Sequence, residues 1–279
     1  MLDGLCLQQL TLLVAGALAS SIAAVIANRL GLAGFLLALA MVKPQLAIGI
    51  AAFLLVWAIG DWKSRKSLVK TFVATMILLV VGAEILLPGW IHFWRDAVKD
   101  YVGYHKPALI VSILSEPIAI AVAVVAIFAL GALFWHFRKT TPGSEPFNFA
   151  LVSVLVVTTL FLPNAGSAYY NHVILIPGTL WLLFRKDAAF IQKGLTRVTW
   201  LLASSVLLME WIATIPVVVV TLISRPVFER ETSSLLVTGP EFVIFSYPLA
   251  IFLFVLSMVP YALAQGAQKQ RQDDAEDFA

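Results

Sequence analysis

The feature that most constrains this chain is a succession of long apolar runs with hardly a charge inside them. Leu7 to Ala27, Thr71 to Pro88, Pro117 to His136, Phe147 to Pro163, Tyr170 to Phe184, Val198 to Ile223 and Val243 to Ala264 are such runs. Each meets or approaches the roughly 20 apolar residues that a helix needs to cross a hydrocarbon core about 30 Å thick. The 279 residues are 61% hydrophobic and 13% charged, whereas a soluble domain carries about 25% charged residues. That depletion excludes an ordinary globular protein and a disordered chain. The single cysteine, Cys6, excludes a disulfide scaffold and a cysteine-based metal cluster. A net charge of +3 gives no reason to expect a nucleic-acid partner. The expected fold is all-α, a polytopic transmembrane helix bundle with the lipid bilayer as its surroundings.

One further run, Leu30 to Gly60, is apolar except at Lys43-Pro44-Gln45. As one helix it would be too long for the membrane and would bury a lysine and a proline at its centre. Two short arms, Leu30 to Val42 and Leu46 to Gly60, each about 20 Å long, are preferred, with Pro44 making the break. This gives nine membrane segments. Trp90 to Lys106 adds an interfacial helix: Trp90, Phe93, Trp94, Ala97, Val98, Tyr101 and Val102 recur at helical spacing, opposite His92, Arg95, Asp96, Lys99 and Asp100. Asp96 and Asp100 balance Arg95 and Lys99 there rather than forming a catalytic pair.

Orientation follows from the basic residues. With an outer N-terminus, thirteen of the nineteen lysines and arginines fall on cytoplasmic pieces, including Asp61 to Lys70 and Phe137 to Pro146. A single long helix in place of the hairpin would break that pattern. Residues 1–264 are expected to form one transmembrane domain, and the acidic tail 265–279 a disordered cytoplasmic extension. No basic residue precedes Arg29, so the start does not read as a secretory signal. Earlier transmembrane helices are expected upstream.

The unusual polar residues collect on the outer side. Lys43 and Gln45 sit at the hairpin tip, which the short arms leave recessed. A charge within the membrane points to a functional site facing protein or a wet cavity, and a lysine at a helix break suits a phosphate. The bland alternative is a lysine that snorkels to water and caps carbonyls. Between Phe161 and His172 the chain turns, bringing Tyr169, Tyr170, Asn171 and His172 to the outer mouth in a first helical turn. Amide and imidazole suit sugar hydroxyls or a phosphate oxygen, and the two tyrosines also fit an aromatic belt. Substrate-binding candidates are therefore Lys43, Gln45, Tyr170, Asn171 and His172, with Arg95, Glu116 and Tyr169 as further candidates. Glu210 lies near mid-span and needs a partner or a proton. Trp57, Trp62, Trp135, Trp181 and Trp200 read as inner belt anchors. No Walker loop, dinucleotide fingerprint, metalloprotease helix or nucleophile elbow occurs, and no metal-ligand set is visible.

At these residues the chain resembles bacterial glycosyltransferase family 87. The likeness rests on Gln9-Leu-Thr-Leu-Leu13 before an apolar helix and on Ala40-Met-Val-Lys-Pro-Gln-Leu46. It continues in Leu86-Leu87-Pro88-Gly89-Trp90 and in Tyr170-Asn-His-Val-Ile-Leu-Ile-Pro-Gly178, spanning roughly residues 7 to 185. The resemblance implies a GT-C-type enzyme of the bacterial cytoplasmic membrane, C-terminus inside. It would move a sugar, mannose or a relative, from a polyprenyl-phosphate donor to an extracytoplasmic lipid or glycan acceptor, with inversion and without a cofactor. It carries Lys43 over as a donor-phosphate contact and His172 as a substrate-proximal residue. The general base in that fold is an aspartate of the first outer loop, after the first transmembrane helix, expected upstream of this chain. On that expectation the chain is the C-terminal part of an enzyme and inactive alone. Two other classes remain open on the residues: a transporter or lipid flippase, and a non-catalytic membrane scaffold subunit. Paired broken helices in two inverted halves would mark the transporter, and one clear break, at Pro44, is visible.

Overall fold

A computed structural model of the chain describes residues 10–102, 108–112, 114–162, 169–184, 194–206 and 246–264. Every regular element among the described residues is helical. The chain divides into two compact units, Met1–Ile174 and Leu175–Ala279.

The first unit opens with α1 (Thr11–Ile26). Asn28 ends it in the left-handed region, φ 57°, with Arg29 N–H donating to the Ala24 carbonyl at 2.7 Å and Asn28 N–H to Val25 at 3.0 Å. This Schellman pair satisfies carbonyls that the helix end would leave open, and it turns the chain directly into α2 (Leu30–Ala40). Residues 41–43 tighten the end of α2, and α3 (Pro44–Gly60) starts with proline in its first turn. There the missing N–H costs nothing and the fixed φ favours the helix, while the proline keeps Lys43 extended, at φ −125° and ψ 77°. The expected hairpin is therefore present, with Pro44 starting the second arm. A Cβ at Gly34 would collide with the Leu68 carbonyl and lie 2.9 Å from the Phe72 nitrogen. Only glycine lets α2 pack this closely on α4 (Trp62–Leu86).

The charged piece Asp61 to Lys70 is helical from Trp62 onward. α4 begins at Trp62, and its charged first turns continue unbroken into the apolar part, because no glycine or proline interrupts them. At its far end Glu84 accepts the Gly89 N–H at 2.8 Å, fixing a turn in which Gly89 has φ +76°. The amphipathic α5 (Trp90–Val102) follows, with Ile91, Phe93 and Trp94 exposed. After a short 3-10 segment (Leu109–Ser112) come α6 (Glu116–Phe137) and α7 (Glu145–Phe161). α7 is buried along nearly its whole length, packed against α3 and α6. Phe53, Phe134 and Phe147 stack at 5.2 and 5.4 Å between these three helices.

Residues 169–175 form a 3-10 helix (Tyr169–Leu175), and α8 (Ile176–Phe184) has nine residues. Over the expected span Tyr170 to Phe184 the chain thus forms a tight 3-10 segment running into an α-helix about 14 Å long. In the second unit α8 is joined by α9, residues 194–206, and α10 (Ser246–Ala264). Thr199 and Ser257 hydroxyls bond at 2.8 Å, the Thr179 hydroxyl bonds to that of Tyr247, and Trp181 meets Phe254 at 6.3 Å between centroids.

Among the described residues three helices are long and apolar enough to cross a membrane: Trp62–Leu86, Glu116–Phe137 and Ser246–Ala264. Thr11–Ile26, Leu30–Ala40, Pro44–Gly60 and Glu145–Phe161 are shorter apolar helices. Cys6, Glu210 and the tail 265–279 lie outside the described residues.

Candidate functional site

The site is built at the break between α2 and α3. Lys43 is the last residue before Pro44, half-buried, and its ammonium donates to Thr11 Oγ1 at 2.6 Å and to Asn171 Oδ1 at 2.9 Å. Thr11 Oγ1 in turn donates to Asn171 Oδ1 at 3.0 Å. Three segments meet here: the first residue of α1, the hairpin tip and the 3-10 helix. Thr11 and Asn171 are each 1% exposed, and His172, next in the 3-10 helix, is 8% exposed. Buried polar groups such as Thr11 and Asn171 are tolerated because they are hydrogen-bonded.

Of the residues singled out in the sequence, the structure thus joins Lys43 and Asn171 directly. Gln45 and His172 sit beside them along the chain, Gln45 half-buried in the first turn of α3. Tyr169 and Tyr170 lie in the same 3-10 helix, and their side chains fall outside the described parts. Arg95 stands on the exposed face of α5 and pairs with its neighbour Asp96, Nε to Oδ1 3.5 Å, with both side chains more than half exposed. Glu116 is exposed at the first residue of α6 and borders an apolar cavity of about 410 Å³ formed with Ile110, Ala119, Ile120 and Phe161. Neither Arg95 nor Glu116 shares the hydrogen bonds of Lys43. Among the described residues no cluster of three metal-ligating side chains occurs.

Sequence reasoning missed Thr11. It falls inside a quoted motif, and a hydroxyl opening an otherwise apolar helix was the available signal.

The opposite end of α3 holds another cation, and this one is buried. Arg65, 9% exposed, donates to the carbonyls of Trp57 at 2.8 Å, Arg138 at 2.9 Å and Thr140 at 3.3 Å. Its guanidinium lies 3.8 Å from the centre of the Trp57 ring. Trp57 is 1% exposed and donates to Thr140 at 2.8 Å. That overturns its reading as a belt anchor: the indole is a core residue whose N–H finds a carbonyl where α6 ends. Trp62 and Trp135 are exposed, as a belt requires, and Arg138 covers the Trp135 ring at 4.0 Å. Gly60 touches the Arg138 carbonyl so closely that a Cβ has no room. In the turn beside it, the Ser64 hydroxyl that donates to Asp61 holds that carboxyl below its ordinary value.

Fold and site together define a polytopic helical membrane protein with a lysine held in place at a helix break. The chain belongs to glycosyltransferase family 87, whose model matches residues 1–163; the family makes it a membrane glycosyltransferase. No curated protein and no solved structure matches the chain.

Proposed function

We propose that the protein moves a sugar, mannose by family likeness, from a polyprenyl-phosphate donor to a lipid or glycan acceptor on the outer face of the bacterial cytoplasmic membrane. The observation that carries this reading is the Lys43 ammonium held by Thr11 and Asn171 at the break between α2 and α3. A compact cation at such a place is suited to the phosphate of the donor. α6 is five residues longer than α3, about 8 Å of helix, and both end at the Gly60–Arg138 contact. The surplus lies on the Lys43 side, which favours a recessed tip.

The reaction is a single inverting displacement. The acceptor hydroxyl oxygen forms a bond to the sugar's anomeric carbon while that carbon's bond to the phosphate oxygen breaks. The lipid phosphate leaves with the electron pair, and Lys43 stabilises its charge. A carboxylate takes the acceptor proton, and among the described residues none is assigned that role. His172 lies close enough along the chain to meet the sugar or the phosphate. The N-terminus is outside and the C-terminus cytoplasmic in this reading, which puts Arg65, Arg138 and Lys139 on the inner side.

Membranes carrying the protein together with the upstream helices expected to supply the general base, given polyprenyl-phosphate mannose labelled in the sugar, test it. Labelled mannose should pass to a lipid or glycan product, and Lys43→Ala and His172→Ala should each slow transfer at least about tenfold. Solute uptake into proteoliposomes that Lys43→Ala abolishes would make the protein a transporter instead. Full cellular function with both substitutions would make it a scaffold.

A further inference from the structure

The three-residue cluster at Lys43 determines where its protons point. An ammonium only donates, and an amide oxygen only accepts. Asn171 Oδ1 therefore receives Lys43 and Thr11 together, and Thr11 Oγ1 receives Lys43 while giving its own proton to Asn171. The carbonyl edge of Asn171 is turned to the lysine, so that edge is not a substrate contact. The Thr11 hydroxyl, 1% exposed, has both its donor and an acceptor position engaged within the cluster. Thr11 is also β-branched, which restricts χ1, and its hydroxyl is fixed by the bond to Asn171. Against the flexible four-carbon stem of lysine, that is a rigid abutment.

We propose that Thr11 and Asn171 are positioning residues for Lys43, holding its ammonium at one point of the site through neutral oxygens that bring no negative charge of their own against a phosphate. This rests on the reading that Lys43 meets a lipid phosphate. A carboxylate in place of the amide would hold the lysine equally well. It would also place a negative charge beside the ammonium, and that charge opposes the approach of an anion.

The test uses the full chain in detergent micelles with farnesyl phosphate as the probe. Two quantities are read: its affinity, and the rate of reductive methylation of each lysine followed by mass spectrometry. Lys43→Ala should weaken binding about tenfold or more, and Thr11→Val and Asn171→Leu several-fold each, as expected for charge-assisted hydrogen bonds. Thr11→Ser should restore binding to within about twofold, since it keeps the hydroxyl. In the Lys43→Ala background Thr11→Val should add nothing, the sign of two residues acting through one contact. Asn171→Asp should weaken binding at least as much as Asn171→Leu while leaving Lys43 slow to methylate. In the unaltered protein Lys43 should methylate more slowly than the exposed Lys63 and Lys66, and Thr11→Val should speed it where Thr11→Ser does not.

Additive losses for Thr11→Val and Lys43→Ala, or affinity and methylation both unchanged by Thr11→Val, overturn the positioning role while leaving Lys43 a phosphate contact. If Lys43→Ala leaves farnesyl phosphate affinity intact, or the unaltered protein does not bind it, the phosphate reading falls. Methylation then decides positioning alone: a faster Lys43 in Thr11→Val upholds it, and an unchanged rate overturns it.

Discussion

Each end of α3 holds a cation, Arg65 buried and Lys43 half-buried, and the two are held by different chemistry. Arg65 is surrounded by backbone carbonyls from the ends of α3 and α6, with the Trp57 ring against its plane. Lys43 is held by two side-chain oxygens, a hydroxyl and an amide, at the start of α3. A planar guanidinium with five donors suits the first task, because helix ends leave carbonyls open and a fork can satisfy several at once. It fastens helices. A lysine on side-chain oxygens closes no helix end. The acceptors separate the two cations: main-chain oxygens of helix ends make Arg65 a fastening, and side-chain oxygens from two other segments make Lys43 the candidate site.

Substitutions can break or sharpen that contrast. The largest effect on stability should come from Arg65→Ala, which leaves three carbonyls without a charged donor and should cost about 3 kcal/mol or more. Thermal unfolding in detergent would show it as a lowered midpoint. Trp57→Phe should come next, losing the bond to the Thr140 carbonyl for about 1 kcal/mol, read by the same melt. Lys43→Ala should change the midpoint by no more than about 1 kcal/mol, although sugar transfer collapses. A Lys43→Ala melt as low as that of Arg65→Ala would erase the distinction between the two ends. Arg95→Ala should be the smallest, within about 0.5 kcal/mol, because its ion pair with Asp96 is exposed and screened. A larger shift would mean that α5 packs through Arg95.

Much of the first unit was legible in the sequence because it depends on local rules. Pro44 inside an apolar run implied the break, and the spacing of Trp90, Phe93 and Trp94 implied α5. What was lost depended on neighbours distant in sequence. The apolar run marked the helix only from Thr71, yet charge does not end a helix and no breaker lies between Trp62 and Lys70, so the helix starts at Trp62. Trp57 looked like a belt residue because indoles collect at interfaces, and only the placement of Thr140 and Arg65 around it shows a core residue. Residues 169–175 read as α-helix where the chain adopts the tighter 3-10 form, which hydropathy does not register. At the site, Lys43, Asn171 and His172 were visible as polar residues in apolar surroundings. Thr11 was not, since a threonine in an apolar helix is unremarkable until its partner 160 positions away in the chain is known.

The short reversal at Asn28 sets the phase between α1 and α2. Thr11 and Lys43 lie more than a dozen residues from it on either arm, so their meeting depends on how the two helices are indexed at that corner. Inserting one residue between Ile26 and Asn28 would rotate every α1 side chain by about 100° relative to α2. The hydroxyl would then swing off the lysine with no residue of the site altered. A corner three residues long thus sets the register of a site at the far end of both helices.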